Sequence, residues 1–373
     1  MGTRNHLTLL LPFASMPAMS RLNIEEGVSL ARHGTMGVGG PAQCLVRVES
    51  EDQLRQALLF ANERDLRPFI LGEGSNIVFS DEGLQAVVIL MARPMDSTDI
   101  QISHLGSKVE LSVPAWISLD DLIAFCVESG YAGLTCLSGI PGTVGAAPIQ
   151  NVGAYGCEIK TAIQSVDVLD SASMLSEGIE AENCHFGYRR SIFQKQPEKV
   201  ITKVTLRLSM QREEDIDHPQ ILEKAGRHRV DLGTLRRTVL DIRRKKGMLA
   251  DCFHSCGSFF KNPILTSHNF ERLNQNLGKK CPSYPGEESS YKVPAAFLIE
   301  RAGFRKGLLQ KGVGLSPHHA LSIIQNGRAS SESVLAFAAQ IQKRVDRLFG
   351  ILLEPEPLLL SKEGDRMSLK SYW

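Results

Sequence analysis

The chain has 373 residues, of which 43% are hydrophobic, 22% charged and 6% aromatic. That length exceeds one simple core and predicts two or three domains, while the composition excludes disordered, collagen-like and disulfide-scaffold chains. Lys plus Arg is 42 against 41 Asp plus Glu, for a net charge of +1. The basic excess of a nucleic-acid binder is missing, so an anionic ligand must be met by a local cluster of cations.

Residues 1–20 read as an N-terminal extension. Its most apolar run, Leu7 to Met19, is broken by Thr8, Pro12, Ser15 and Pro17. It falls short of the roughly 18 apolar residues a spanning helix needs, and imitates a secretory signal only faintly. The start Met-Gly-Thr-Arg-Asn-His also lacks the hydroxyl residue that a myristoylation signal wants. No membrane association is expected. Eight scattered cysteines with no C-x-x-C pair predict reduced thiols and a cytoplasmic protein. Cys252-Phe-His254-Ser-Cys256 lacks the paired spacing of a metal site, so no metal is expected.

Along the chain, Glu51 to Arg64 reads as a helix, with a capping-box pattern at Ser50 and Gln53 and apolar Leu54, Ala57, Leu58 and Ala61 at helical spacing. Pro68 to Gly72 reads as a short buried strand and Gln85 to Leu90 as another, with a glycine turn between them. Val109 to Val113 suggests a strand. Ser118 to Gly130 suggests a helix opened by Ser118 and closed by Gly130. Residues 139–156 form a long structured loop, 165–169 and 200–208 are strands, and the polar stretch 209–235 suits a linker. A last helix spans Ser331 to Phe349, with Val334, Ala338, Ile341, Val345 and Leu348 on one face and Gly350 as its stop. Helices and strands are mixed throughout, which places the chain in the α+β or α/β class.

Two loops carry the chemistry. In Gly72-Glu73-Gly74-Ser75-Asn76 the glycines permit positive φ, so successive N–H groups can converge on one anion; a plain structural turn is the competing reading. The loop Gly139-Ile140-Pro141-Gly142-Thr-Val-Gly145-Ala146-Ala-Pro-Ile-Gln150-Asn151-Val-Gly153-Ala154-Tyr155-Gly156 holds five glycines and two prolines. Small residues let backbone approach a flat ligand, and Gln150 and Asn151 offer amides to a heterocycle. A long ordered loop of this kind is more often functional than not.

These two segments resemble the FAD-binding segments of the UDP-N-acetylenolpyruvoylglucosamine reductase family, and the resemblance runs from about Gly34 to Pro357. It implies a two-lobed FAD-binding domain of the vanillyl-alcohol-oxidase type, followed by an α+β substrate-binding domain. On that basis residues 21–82 form lobe one, 83–225 lobe two, 226–357 the substrate domain and 358–373 a tail. FAD held non-covalently, NADPH as co-substrate and UDP-N-acetylglucosamine enolpyruvate as substrate are implied, with a monomer expected. Residues 72–76, together with Ile140, Pro141, Gly142, Gly145, Ala146, Gln150, Asn151, Gly153 and Ala154, are the implied flavin contacts.

Three further stretches match the family's reactive segments. Phe186-Gly-Tyr-Arg189 places Arg189 where a guanidinium grips a carboxylate. Gly257-Ser258-Phe-Phe-Lys-Asn262-Pro places Ser258 as proton donor to a carbanion, a base strong enough to take a hydroxyl proton. Leu353-Glu354-Pro-Glu356-Pro357 places Glu356 as the functional carboxylate. The two glutamates are read as facing opposite ways, so that only one reaches the site. Arg243 and Lys246 in the basic run 243–246, with Tyr155 and Asn262, fall on substrate positions. His319 stands where relatives can carry Gln. The sequence departs from the family at Pro357-Leu358, where relatives can carry Val-Arg, and at the lid tyrosine, whose nearest match is His218. An oxidase of the same fold, or a flavin-binding protein without turnover, are the alternatives.

Overall fold

The computed structural model describes residues 22–249, 251–286 and 289–373; the extension and its signal-like run lie outside them. In the first lobe, strands Ile24–Glu26, Ala42–Arg47, Leu84–Leu90 and Arg67–Leu71 form a sheet in that order. The last three are parallel and the first is antiparallel to its neighbour. Parallel strands of one sheet need a crossover, and helix α1 (Glu51–Glu63) supplies it between Ala42–Arg47 and Arg67–Leu71, which flank Leu84–Leu90. Ser50 Oγ accepts the N–H of Gln53 at 3.3 Å, and Gln53 Oε1 reaches back to the amide of Glu49, one residue before the cap, at 2.8 Å. Leu54, Ala57, Leu58 and Ala61 are buried, as their spacing predicts.

Leu84–Leu90 is buried at every residue except Gln85. It starts next to the boundary expected at 82/83, yet it pairs with strands on the other side of that boundary. Arg67–Leu71 is an edge strand, and only Leu71 is fully buried, so the expectation of a buried strand is corrected.

The second lobe is an antiparallel sheet in the order Ser176–Glu180, Ile163–Asp170, Lys199–Met210, Lys108–Pro114, Gln101–Leu105. Helix α2 (Leu119–Ser129) ends at Gly130, whose φ of 76° is left-handed. One apolar cluster runs from Val46 and Ile89 through Leu111 and Leu122 to Val204, so the two lobes share a core.

Residues 209–235 are not a linker. Glu213–Asp215 pairs with Arg229–Asp231, and helices α3 (Pro219–Ala225) and α4 (Leu232–Lys245) close over them. Ile216, Ile221, Val230, Leu235, Val239 and Ile242 bury one another together with Cys136. Ile216 and Val230 stand alone in polar sequence and Ile221 has only Leu222 beside it, so no periodicity announces a core.

The last domain has a sheet of His254–Ser255, Ile323–Gln325, Val313–Leu315 and Leu309–Gln310, with helices α5 (Ser267–Leu277), α6 (Ala295–Arg301) and α7 (Ser331–Phe349). On α7, Val334, Ala338, Ile341 and Val345 are buried, and Gly350 stops the helix at φ 65°. Leu348 is 40% exposed, so the buried face ends one turn earlier than its pattern suggests.

The chain then returns to the first lobe. Leu358–Leu359 pairs in parallel with Ile77–Val78, and Trp373 Nε1 donates to Gln342 Oε1 on α7 at 3.1 Å. This return carries residues 353–357 between the last domain and the glycine loop.

Candidate active site

Loop 72–76 follows directly from Arg67–Leu71. Gly74 sits at φ 63°, and a Cβ there would collide with the carbonyl oxygen of His33, so glycine is required. Among the described residues, the amides of Glu73, Gly74, Ser75 and Asn76 donate to no protein acceptor. The loop is braced to the second one. Glu73 Oε2 accepts the Gly142 N–H at 2.8 Å, and Ser75 Oγ donates to the Pro141 carbonyl at 3.0 Å. Burial pushes the Glu73 carboxyl above its ordinary range, against the pull of the Gly142 amide.

Both loops line one cavity of about 640 Å³. Residues 72–76, Ile140, Pro141, Gly142, Ala146, Gln150, Gly153, Ala154 and Tyr155 face it, and so do Arg189, Arg243, Lys246, Ser258, Asn262, His319 and Glu356. Residues far apart in the chain thus meet at one place. Two expected flavin contacts are not among the lining residues. Gly145 packs against the second lobe, donating its N–H to Ala115 O at 2.8 Å, with no room for a Cβ beside Ala115. Asn151 is fully buried. Its Nδ2 donates to Glu158 Oε2 at 2.9 Å and to Gly187 O at 3.0 Å, and its Oδ1 accepts from the Lys160 amide. The Asn151 side chain builds the loop and has no amide group left over for a ligand.

Arg189 has a left-handed φ of 52°, held by a tight turn in which Gly187 and Arg190 exchange backbone hydrogen bonds at 2.9 and 3.2 Å. Its Nε lies 2.8 Å from Glu356 Oε1, and its Nη2 donates to Gly153 O at 3.0 Å. Both side chains of the pair are 17% exposed. The Nε–H is not aimed along a hydrogen bond, so this is a contact of charges. Burial pushes the Glu356 carboxyl up, and the Arg189 guanidinium only partly offsets it.

Segment 258–262 runs antiparallel to 353–357: Phe260 bridges Pro355, the Lys261 amide donates to Glu354 O, and the Glu356 amide donates to Phe259 O, both at 2.9 Å. Phe259 and Phe260 anchor this pair of segments, buried and edge-to-face at 5.3 Å. Residues two apart on a regular strand share a face, so the expectation that the glutamates face opposite ways misreads strand geometry. A bend at 356 and 357 takes Glu356 out of line. Glu354, with its side chain 70% exposed, pairs with Lys261 at 3.4 Å. Glu356 turns inward, and its carbonyl accepts from Asn76 Nδ2 at 3.3 Å and Gln150 Nε2 at 3.1 Å. Among the described residues no protein hydrogen bond ties up the Ser258 hydroxyl, although the residue lines the cavity. Sequence reasoning missed Thr35, whose Oγ1 donates to Ser255 O at 2.7 Å and braces the turn before Ser258; it lies 220 residues away with no local signal.

At the other end, Tyr155 tips the hairpin Gly153–Ala154 and Cys157–Glu158 with φ 52°. His218 stands edge-on to its ring at 5.2 Å, and Lys246 Nζ lies 5.2 Å from the ring centre while donating to Gln220 Oε1 at 2.6 Å. His218 therefore does reach the cavity. Among the described residues its Nδ1 has no partner although it is buried, and burial and Lys246 lower its pKa. Arg243 is 6% exposed and donates to the carbonyls of Gly139 and Met248, each at 3.1 Å, so it fastens the long loop to α4. Asn262 Oδ1 accepts the Ala295 N–H that opens α6 at 2.9 Å. His319 Nδ1 accepts the Leu321 N–H at 3.1 Å, and burial lowers its pKa to about 4. The ring is neutral at pH 7, and the bonded Nδ1 assigns its proton to Nε2.

Residues 42–175 match the family model of the FAD binding domain, and residues 249–360 match that of the UDP-N-acetylenolpyruvoylglucosamine reductase C-terminal domain. The UDP-N-acetylenolpyruvoylglucosamine reductase of Thermobifida fusca is 37% identical over 350 residues, covering 90% of this chain and 97% of that protein. The enzyme of that name from Pseudomonas aeruginosa is 34% identical over 342 residues, covering 91% and 99%. The solved UDP-N-acetylenolpyruvylglucosamine reductase of Thermus caldophilus superposes with a TM-score of 0.61 at 25% identity, over 91% of this chain and 98% of that one. The fold is accordingly α+β, a two-lobed FAD-binding domain followed by a C-terminal α+β domain of the reductase type. No helix among the described residues is long and apolar enough to cross a membrane. The chain belongs to the UDP-N-acetylenolpyruvoylglucosamine reductase family.

Proposed function

We propose that the protein reduces UDP-N-acetylglucosamine enolpyruvate to UDP-N-acetylmuramate for peptidoglycan synthesis, using NADPH, as a cytoplasmic monomer. The observation that carries the reading is the convergence of Arg189, Ser258 and Glu356, from three separate motifs, on the cavity lined by both flavin loops. The residues fit FAD. Among the described residues the four consecutive amides at 73–76 are free, which suits a pyrophosphate, and Gln150 Oε1 is buried without a partner, which suits a ring N–H. Bound FAD supplies the hydride carrier between NADPH and the enolpyruvyl double bond.

The side chains then divide the remaining work. Arg189, steadied by Glu356 and the Gly153 carbonyl, holds the substrate carboxylate and the negative charge that develops on it as hydride adds. Ser258, with its hydroxyl free, delivers the proton to the other carbon. Glu356 orients that proton transfer, and its raised pKa suits a group that exchanges a proton. Lys246 meets the diphosphate, Tyr155 and His218 flank it, and Asn262 and the Nε2–H of His319 contact the sugar nucleotide.

The test is anaerobic stopped-flow on the yellow protein. It is bleached with NADPH and then mixed with UDP-N-acetylglucosamine enolpyruvate. Rapid return of colour without oxygen supports the reading. Return only on admitting air overturns it in favour of an oxidase.

A further inference from the structure

A second cavity, of about 490 Å³, lies behind the first, between the turn carrying Arg189 and the last domain. Arg189 and Asn262 stand in the walls of both. Its charges are unbalanced. Among the described residues, Arg190, Lys261 and Arg272 line it against a single carboxylate, Glu354. Arg189 is matched by Glu356 of the first cavity, so a net two positive charges remain. Lys261 meets Glu354 only at 3.4 Å, and Glu354 is mostly in solvent. Among the described residues, Arg190 and Arg272 have no carboxylate within ion-pair distance.

Guanidinium forks left unpaired around a concave space are suited to oxyanions, above all phosphate. Polar Gln194, Asn262 and Asn269 share the rest of the wall with apolar side chains. Ile264 and Leu352, 52% and 43% exposed, edge the basic recess. The volume falls within the range of small-molecule sites.

We propose that this cavity binds a phosphate-bearing small molecule, its phosphates on Arg190, Arg272 and Lys261 and its body against Ile264 and Leu352. The site stands or falls by binding, whatever the first cavity reduces. The test is calorimetric titration of the FAD-loaded full chain with inorganic pyrophosphate and with adenosine 5′-diphosphate at low and moderate salt. Arg190→Gln and Arg272→Gln are exposed changes expected to leave the fold intact. Lys246→Gln reports on the first cavity. Binding should weaken roughly tenfold or more in each arginine variant, because each loses a charged hydrogen-bond donor, and should persist in Lys246→Gln. It should also fall with salt. Tighter binding of adenosine 5′-diphosphate than of pyrophosphate is expected from contact with Ile264 and Leu352. Binding lost in Lys246→Gln but kept in both arginine variants would place the anion in the first cavity and overturn the proposal. No saturable binding of either probe would also overturn it.

Discussion

Replacing Ser258 with Ala separates catalysis from folding. The hydroxyl has no protein hydrogen bond among the described residues and faces the cavity. Its loss strips no buried donor or acceptor of a partner, so stability should change by no more than about 0.5 kcal/mol. The same hydroxyl is the proposed proton source, and a positioned general acid is worth about 10²–10⁴ in rate. That corresponds to about 3–5 kcal/mol of barrier. The two half-reactions should therefore diverge in anaerobic stopped-flow. Bleaching by NADPH should stay within about twofold of the parent, because no proton is delivered to the sugar in that step. Return of flavin colour with the enolpyruvyl sugar should slow by two to four decades, the range set for an acid catalyst. Urea unfolding of both proteins checks the stability arm. Equal slowing of both half-reactions, or a large fall in the unfolding midpoint, would show that Ser258 shapes the site and would refute its role as donor.

Glu356→Gln keeps the shape and leaves Arg189 unmatched in a mostly buried place. Burial disfavours the Glu356 carboxylate more than Arg189 offsets, so losing the charge compensates for losing the pair and the urea midpoint at pH 7 should stay close to the parent's; a large fall would count against that balance. His319 titrates at about 4 in the folded chain against 6.5 unfolded, so its contribution is complete above pH 6.5 and disappears as pH falls toward 4. The full effect is up to about 3 kcal/mol. His319→Gln should flatten the stability profile between those pH values, and an unchanged slope would refute the assignment. Gly74→Ala forces a Cβ against the His33 carbonyl at a φ that L-residues resist. FAD affinity, followed by flavin fluorescence, should drop roughly tenfold or more, and retention of parental affinity would show that the loop does not position the cofactor.

What was legible in the sequence is local. The cap of α1 at Ser50 and the stop of α7 at Gly350 are read from neighbours within one turn, and the structure places both as expected. The glycine loops announce themselves because positive φ and close approach demand glycine at positions such as Gly74 and Gly142. The reactive motifs are equally compact, so a resemblance can pick out Arg189, Ser258 and Glu356 one segment at a time. Local pattern fails where burial comes from distant partners. Gln101–Leu105 is exposed along its whole length and has no buried face to signal a strand. Asn151 reads as a ligand amide, but its partners Glu158 and Gly187 are visible only once the loop is folded.

The sequence by itself determined the family, the mixed class, the two glycine loops and the residues offered for the chemistry. Only the tertiary structure decided which of them meet. The crossing of residues 353–357 beside 258–262, and the pairing of Leu358–Leu359 with Ile77–Val78, bring Glu356 to Arg189 across 167 positions of chain. Backbone pairing of that range leaves no trace in periodicity, because each strand's hydrogen bonds are made to a partner its own sequence does not encode.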